Sequence, residues 1–187
     1  TSIPNPPGET LVGKDMTPES LPSGVDRDYV LLNWDEIDQG DLGDPLSGGQ
    51  YWISDINLSY STLTISGDVD LWVDGPINFS GNATLIIEEG ASLNLYAAGS
   101  TNFSDSSLLD FKTDASLTLY AMGDISFSDQ SGTDFWIPTG VADHFIVYGV
   151  TGCNTITFSD LCDVSIGVYA PEADIVMRDW AQLRGDN

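Results

Sequence analysis

A recurrence every 24 residues constrains this chain more than any other feature. Gly75, Gly99 and Gly123 fall 24 apart, and so do Phe79, Phe103 and Phe127. The segments around them read LWVDGPINFSGNA (Leu71–Ala83), LNLYAAGSTNFSDSS (Leu93–Ser107) and LTLYAMGDISFSDQS (Leu117–Ser131). Looser copies follow at Ile146–Val150 with Ile156–Asp160, and at Ile166–Asp179. A fixed period of this size means stacked structural units. Each unit holds about three short stretches of period-two alternation and no helical one, which excludes leucine-rich and helical repeats. Three strands and three turns at ~3.3 Å per residue use about this length, whereas a propeller blade takes about 40 residues. The expected fold is all-β: a right-handed parallel β-helix, a solenoid with coils of about 24 residues, preceded by an extended capping segment.

Alternation assigns the faces. Leu93, Leu95 and Ala97 point one way, and Ser92, Asn94 and Tyr96 the other. With the first set inside, stacking predicts two internal ladders. One runs Val73, Ala97, Ala121, Gly149, Ala170; the other runs Phe79, Phe103, Phe127, Phe158.

The repeats occupy 49–187, and 1–48 read as a Pro-rich extended segment and N-terminal cap. Pro4, Pro6, Pro7, Pro18 and Pro22 oppose helix and sheet interior there, so residues 1–23 read as a linker or a strap. Over 26–39, Val30, Trp34 and Ile37 stand at helical spacing, while a strand through Tyr29–Asn33 fits nearly as well. Either would cap the first coil.

Five Lys+Arg against 29 Asp+Glu leave a net charge of −24. Such a surface repels phosphate backbones and anionic lipid, which argues against nucleic acid and membrane partners. No stretch approaches the ~20 apolar residues that span a bilayer. The chain opens Thr1-Ser2-Ile3 without a signal peptide, as a processed protein or an excised fragment would. Cys153 and Cys162, nine positions apart, are a candidate disulfide outside the cytoplasm, with two free thiols as the alternative.

The run Tyr51–Gly99 closely resembles a bacterial β-helix family of unassigned function. Its members carry a coil similar to Leu63–Ala83 and, more loosely, a later one similar to Ser165–Ile175 with Tyr169-Ala170-Pro171. The likeness covers about residues 49–187. It implies a secreted or surface-displayed protein, often joined to a PilX-like, pilus-associated N-terminus, with no known catalytic residues. Family members have a further coil after the position of Trp180–Gly185, so the resemblance implies a last coil that is missing here or supplied by a neighbour.

Three outward constellations are candidates for chemistry. The first is an aromatic column, Trp72, Tyr96, Tyr120, Tyr148 and Tyr169, with rings ~4.8 Å apart. Exposed rings would bind polysaccharide or pack another subunit; alternatively, residues 1–50 cover them. The second is a polar column, Ser80, Ser104, Ser128 and Ser159, flanked by Asn78, Asn102, Ser126 and Thr157. It would match a polysaccharide or ice lattice, or simply keep the face wet. The third is acidic: Asp105, Asp129 and Asp160 recur after Phe-Ser, and Asp68, Asp70 and Asp74 cluster one coil earlier. Stacked carboxylates repel, so Ca2+ would relieve them, although no EF-hand loop or GGxGxD repeat is present. The sequons at Asn57, Asn78, Asn82 and Asn102 read as turn and strand chemistry.

Catalysis finds no motif. His144 is the only histidine, no G-x-S-x-G occurs, and nothing selects a carboxylate pair among the acids. The expected function is a non-enzymatic structural module of a bacterial cell-surface or filament assembly. It would contact other copies or other assembly subunits and need no cofactor beyond a possible Ca2+. The alternative is a carbohydrate-binding or adhesive module using the aromatic column.

Overall fold

A computed structural model describes residues 35–134 and 144–184. The chain winds as a parallel β-solenoid with three faces. The first face stacks Asp35–Glu36, Gly49–Ile53, Asp68–Val73, Ser92–Ala97, Ser116–Ala121, Phe145–Gly149 and Gly167–Tyr169 in that order. The second stacks Ile56–Ser59, Ile77–Ser80, Thr101–Phe103, Ile125–Phe127, Thr155–Phe158 and Asp174–Met177. The third stacks Thr62–Ile65, Thr84–Ile87, Leu108–Phe111, Gly132–Asp134, Asp163–Ser165 and Gln182–Arg184.

The expected register holds. Leu71 pairs with Leu95 and Leu95 with Leu119, and Phe79 pairs with Phe103 and Phe103 with Phe127. Inward residues are buried on every face, and both predicted ladders form. The Phe79, Phe103, Phe127 and Phe158 rings stack at centroid distances of 5.2, 5.0 and 5.3 Å. Offset stacking lets each ring cover the next, so the apolar face of one coil is buried only by its neighbour.

The two inner corners have different causes. After the first face the chain turns at Gly75, Gly99 and Gly123. A Cβ on Gly99 would sit 2.4 Å from the Gly75 carbonyl oxygen, and one on Gly123 2.4 Å from that of Gly99. The stacked backbones leave no room for a side chain, which explains the recurring glycine. After the second face, successive residues take the left-handed conformation: Asp105 and Ser106, Asp129 and Gln130, Asp160 and Leu161, Asp179 and Trp180. Each turn is closed by a backbone bond such as Ser107 N to Ser104 O at 3.0 Å. Asp tolerates this conformation better than most residues, so the Phe-Ser-Asp recurrence is a corner signal.

The first coil begins earlier than residue 49. Asp35 and Glu36 pair with Tyr51 and Trp52, and Leu46 bridges to Ile65. The short 3₁₀ turn Asp41–Gly43 buries Leu42 against the lowest coil. Of the segment 26–39, Asp35–Glu36 is strand; Tyr29–Asn33, Val30, Trp34 and the proline strap of 1–23 lie outside the described residues.

Candidate functional site

The aromatic column forms, with a different character from the one expected. Trp72 and Tyr96 stack at 6.2 Å, Tyr96 and Tyr120 at 5.0 Å, Tyr120 and Tyr148 at 5.3 Å. Tyr169 meets Tyr148 edge-on, 63° from parallel. Tyr96 and Tyr120 are buried, at 5% and 6% exposure, in a small cluster with Met122 that Trp72 and Tyr148 flank. The exposed platform expected from alternation is therefore corrected: the ring faces cover one another, and only Tyr169 stands well exposed. Burial, with Asp70 adding to it, pushes the Tyr96 hydroxyl above its ordinary range. Trp52 pairs with Trp72 and adds a rung below. The 24-residue period misses it because the lower coil is shorter.

Asp68, Asp70 and Asp74 are engaged with neighbours. Asp68 accepts a 2.7 Å bond from the Ser92 hydroxyl, and Asp70 accepts from the Asn94 amide at 2.8 Å and from Gln50 at 3.2 Å. Asp74 accepts from the Trp72 indole at 2.6 Å. Two of the three thus tie one coil to the next. Asp105, Asp129 and Asp160 climb the second corner instead, on a different edge. Among the described residues, no three His, Cys, Asp or Glu side chains converge as a metal site would require.

An open groove of about 790 Å³ follows that corner, with Asp105, Asp129, Asp160 and Asp179 along it. Tyr60 (79% exposed) lies at its lower end and Trp180 (83% exposed) at its upper end. Both aromatics hold positive φ, 55° and 60°. Sequence reasoning missed them because neither occupies a strand position, where alternation is informative. The serine column Ser80, Ser104, Ser128 and Ser159 lines the adjoining half-buried face, where Asn102 donates to Asn78 at 3.0 Å.

Cys153 and Cys162 do not pair; both are free and buried. Cys153 sits at the first corner and Cys162 at the second, with the strand Thr155–Phe158 between them. Four extended residues span ~13 Å, well beyond the reach of a disulfide. Burial and nearby Asp124 push the Cys153 thiol up to about 11, and burial raises that of Cys162.

The last coil is the least covered part of the core. Ile175 and Met177 stand over Ile156 and Phe158. They are each 51% exposed, whereas the residues beneath them are fully buried.

Fold and surface together define the chain as a parallel β-solenoid with one closed end and one open one. The chain belongs to the family described as Domain of unknown function (DUF7305), whose model matches residues 19–186. No curated protein and no solved structure matches it.

Proposed function

We propose that this chain is a non-enzymatic structural module of a bacterial cell-surface or filament assembly, outside the cytoplasm, whose last coil is continued by a β-layer from another subunit. The uncovered Ile175 and Met177 carry the reading. An uncapped sheet edge over an exposed core invites pairing, and proteins that stay single blunt such edges. The resemblance to β-helix proteins joined to pilus-associated N-termini supports the compartment, as does a net charge of −24. Neither thiol supports nucleophilic chemistry, since both are buried with raised pKa. Electron microscopy of native material should show ordered assemblies in which the Ile175 and Met177 amides exchange slowly. Dispersed single rods with fast exchange at those amides would overturn the reading.

A second reading, a carbohydrate-binding module, is favoured by the corner groove. Its carboxylates would accept bonds from sugar hydroxyls between the exposed rings of Tyr60 and Trp180. Glycan-array binding lost on Tyr60→Ala with Trp180→Ala, but kept on Trp72→Ala, would support it; an unchanged profile in both would remove it.

A further inference from the structure

We infer that the open coil pairs with the open coil of a second copy of this chain, related by a two-fold axis through Val176. This rests on the proposal that a further β-layer continues the last coil, and it names that layer.

The argument begins with five residues, Asp174-Ile175-Val176-Met177-Arg178. Laid antiparallel on itself about its centre, this strand sets Asp174 opposite Arg178, Ile175 opposite Met177, and Val176 opposite Val176. Directly opposed residues on an antiparallel pair share a face and interact. Acid thus meets base at both ends, and the two exposed apolar side chains meet inside. Among the described residues neither Asp174 nor Arg178 has an ion-pair partner within its own chain, so both charges are free for a partner's.

The backbone selects the same register. Asp174 N donates down to Asn154 O and Arg178 N to Phe158 O. Alternate residues of a strand bond to opposite sides, so Ile175 and Met177 turn their N–H and C=O groups outward to the next layer. In the antiparallel pair these are the residues that face each other and exchange both backbone bonds, while Val176 faces its own copy across a non-hydrogen-bonded position. A two-fold axis normal to the second face keeps inward side chains inward. Ile175 and Met177 of both copies then join one continuous core.

The axis also exchanges the other two faces. Gly167–Tyr169 of one copy lies along Gln182–Arg184 of the other, antiparallel and of equal length. Half-buried Val168 and Leu183, both packed against the core from this coil, come to lie on the same inner side of that pair. The opposite end is a poorer mate. Leu42 and Leu46 already close its core, and its exposed Asp35, Glu36, Asp41 and Asp44 have no matching row of cations. An isologous contact of this kind closes on itself and gives a two-chain rod.

The test uses this chain at 0.15 M salt, with mass by light scattering. The wild type should be a dimer at high concentration. Arg178→Asp, which sets like charges opposite each other twice, should weaken it roughly tenfold. Adding Asp174→Arg should restore it. Val176→Cys supplies a second measure: non-hydrogen-bonded Cα atoms lie ~4.5 Å apart, within disulfide reach. Mild oxidation should therefore join two copies through residue 176, and melting curves would confirm that each variant folds. A chain that stays single, grows open-endedly with concentration, or fails to cross-link overturns the inference. If it fails while native assemblies still protect the Ile175 and Met177 amides, another subunit supplies the layer and the proposed function stands; if both fail, both fall.

Discussion

Phe103 and Phe127 lie face to face, their rings 5.0 Å apart and 6° from parallel, although 24 residues separate them in the chain. Each is also stacked on its other side, Phe103 by Phe79 and Phe127 by Phe158. Phe103→Ala removes contacts on both sides at once and leaves a gap that coils above and below cannot close independently. The expected loss is about 3–5 kcal/mol, measured as a lowered urea midpoint with an unchanged m-value. A loss below about 1 kcal/mol would mean the ladder is loosely packed.

Two glycines should fail for different reasons. Gly99→Ala drives a methyl into the Gly75 carbonyl, so neighbouring coils must separate. Its cost should exceed about 2 kcal/mol. Gly90 has open space around its Cβ position but φ of +69°, so Gly90→Ala should cost only the left-handed penalty of about 1–2 kcal/mol. Thermal melts of the two variants should rank in that order.

Much of this was legible in the sequence. The glycine and phenylalanine spacing stands for backbone and ring contacts between coils, and it yielded coil length, inner faces and both ladders. Three things were not legible. Alternation separates inside from outside on one strand, but it cannot show that Tyr96 and Tyr120 shield each other. Trp52 was missed because the lowest coils are shorter, so no single period reaches it. The two cysteines looked close along the chain, yet nine residues carry it around a corner and a full strand.

Buried hydroxyls offer a gain in stability. Thr101 Oγ1, Ser107 Oγ and Ser131 Oγ are buried without a hydrogen-bond partner. Thr101 pairs with Ile77 and Ile125 in an otherwise apolar ladder. Thr101→Val keeps the branched shape and removes the unsatisfied group, which is worth about 1–3 kcal/mol when buried. A urea midpoint above wild type is expected; a drop would show that the hydroxyl is satisfied in solution.

The thiols set an alkaline limit. Folding raises the pKa of Cys153 to about 11, against about 8.5 for a free thiol. The folded state therefore favours the protonated form. That contribution is whole below about pH 8.5 and is lost as pH rises through about 11. Stability should fall across this window, and less steeply in Cys153→Ala referenced to its own value at pH 7. Iodoacetamide should label neither cysteine of the folded chain at pH 8 but both in urea.

The closed floor at Leu42 and the open roof at Ile175 and Met177 make the two ends of the rod unequal. Each finished coil presents a ready template of backbone groups and ring faces to whatever arrives above it, and nothing comparable below. The solenoid thus behaves as a one-dimensional crystal with one facet passivated, able to add material in a single direction.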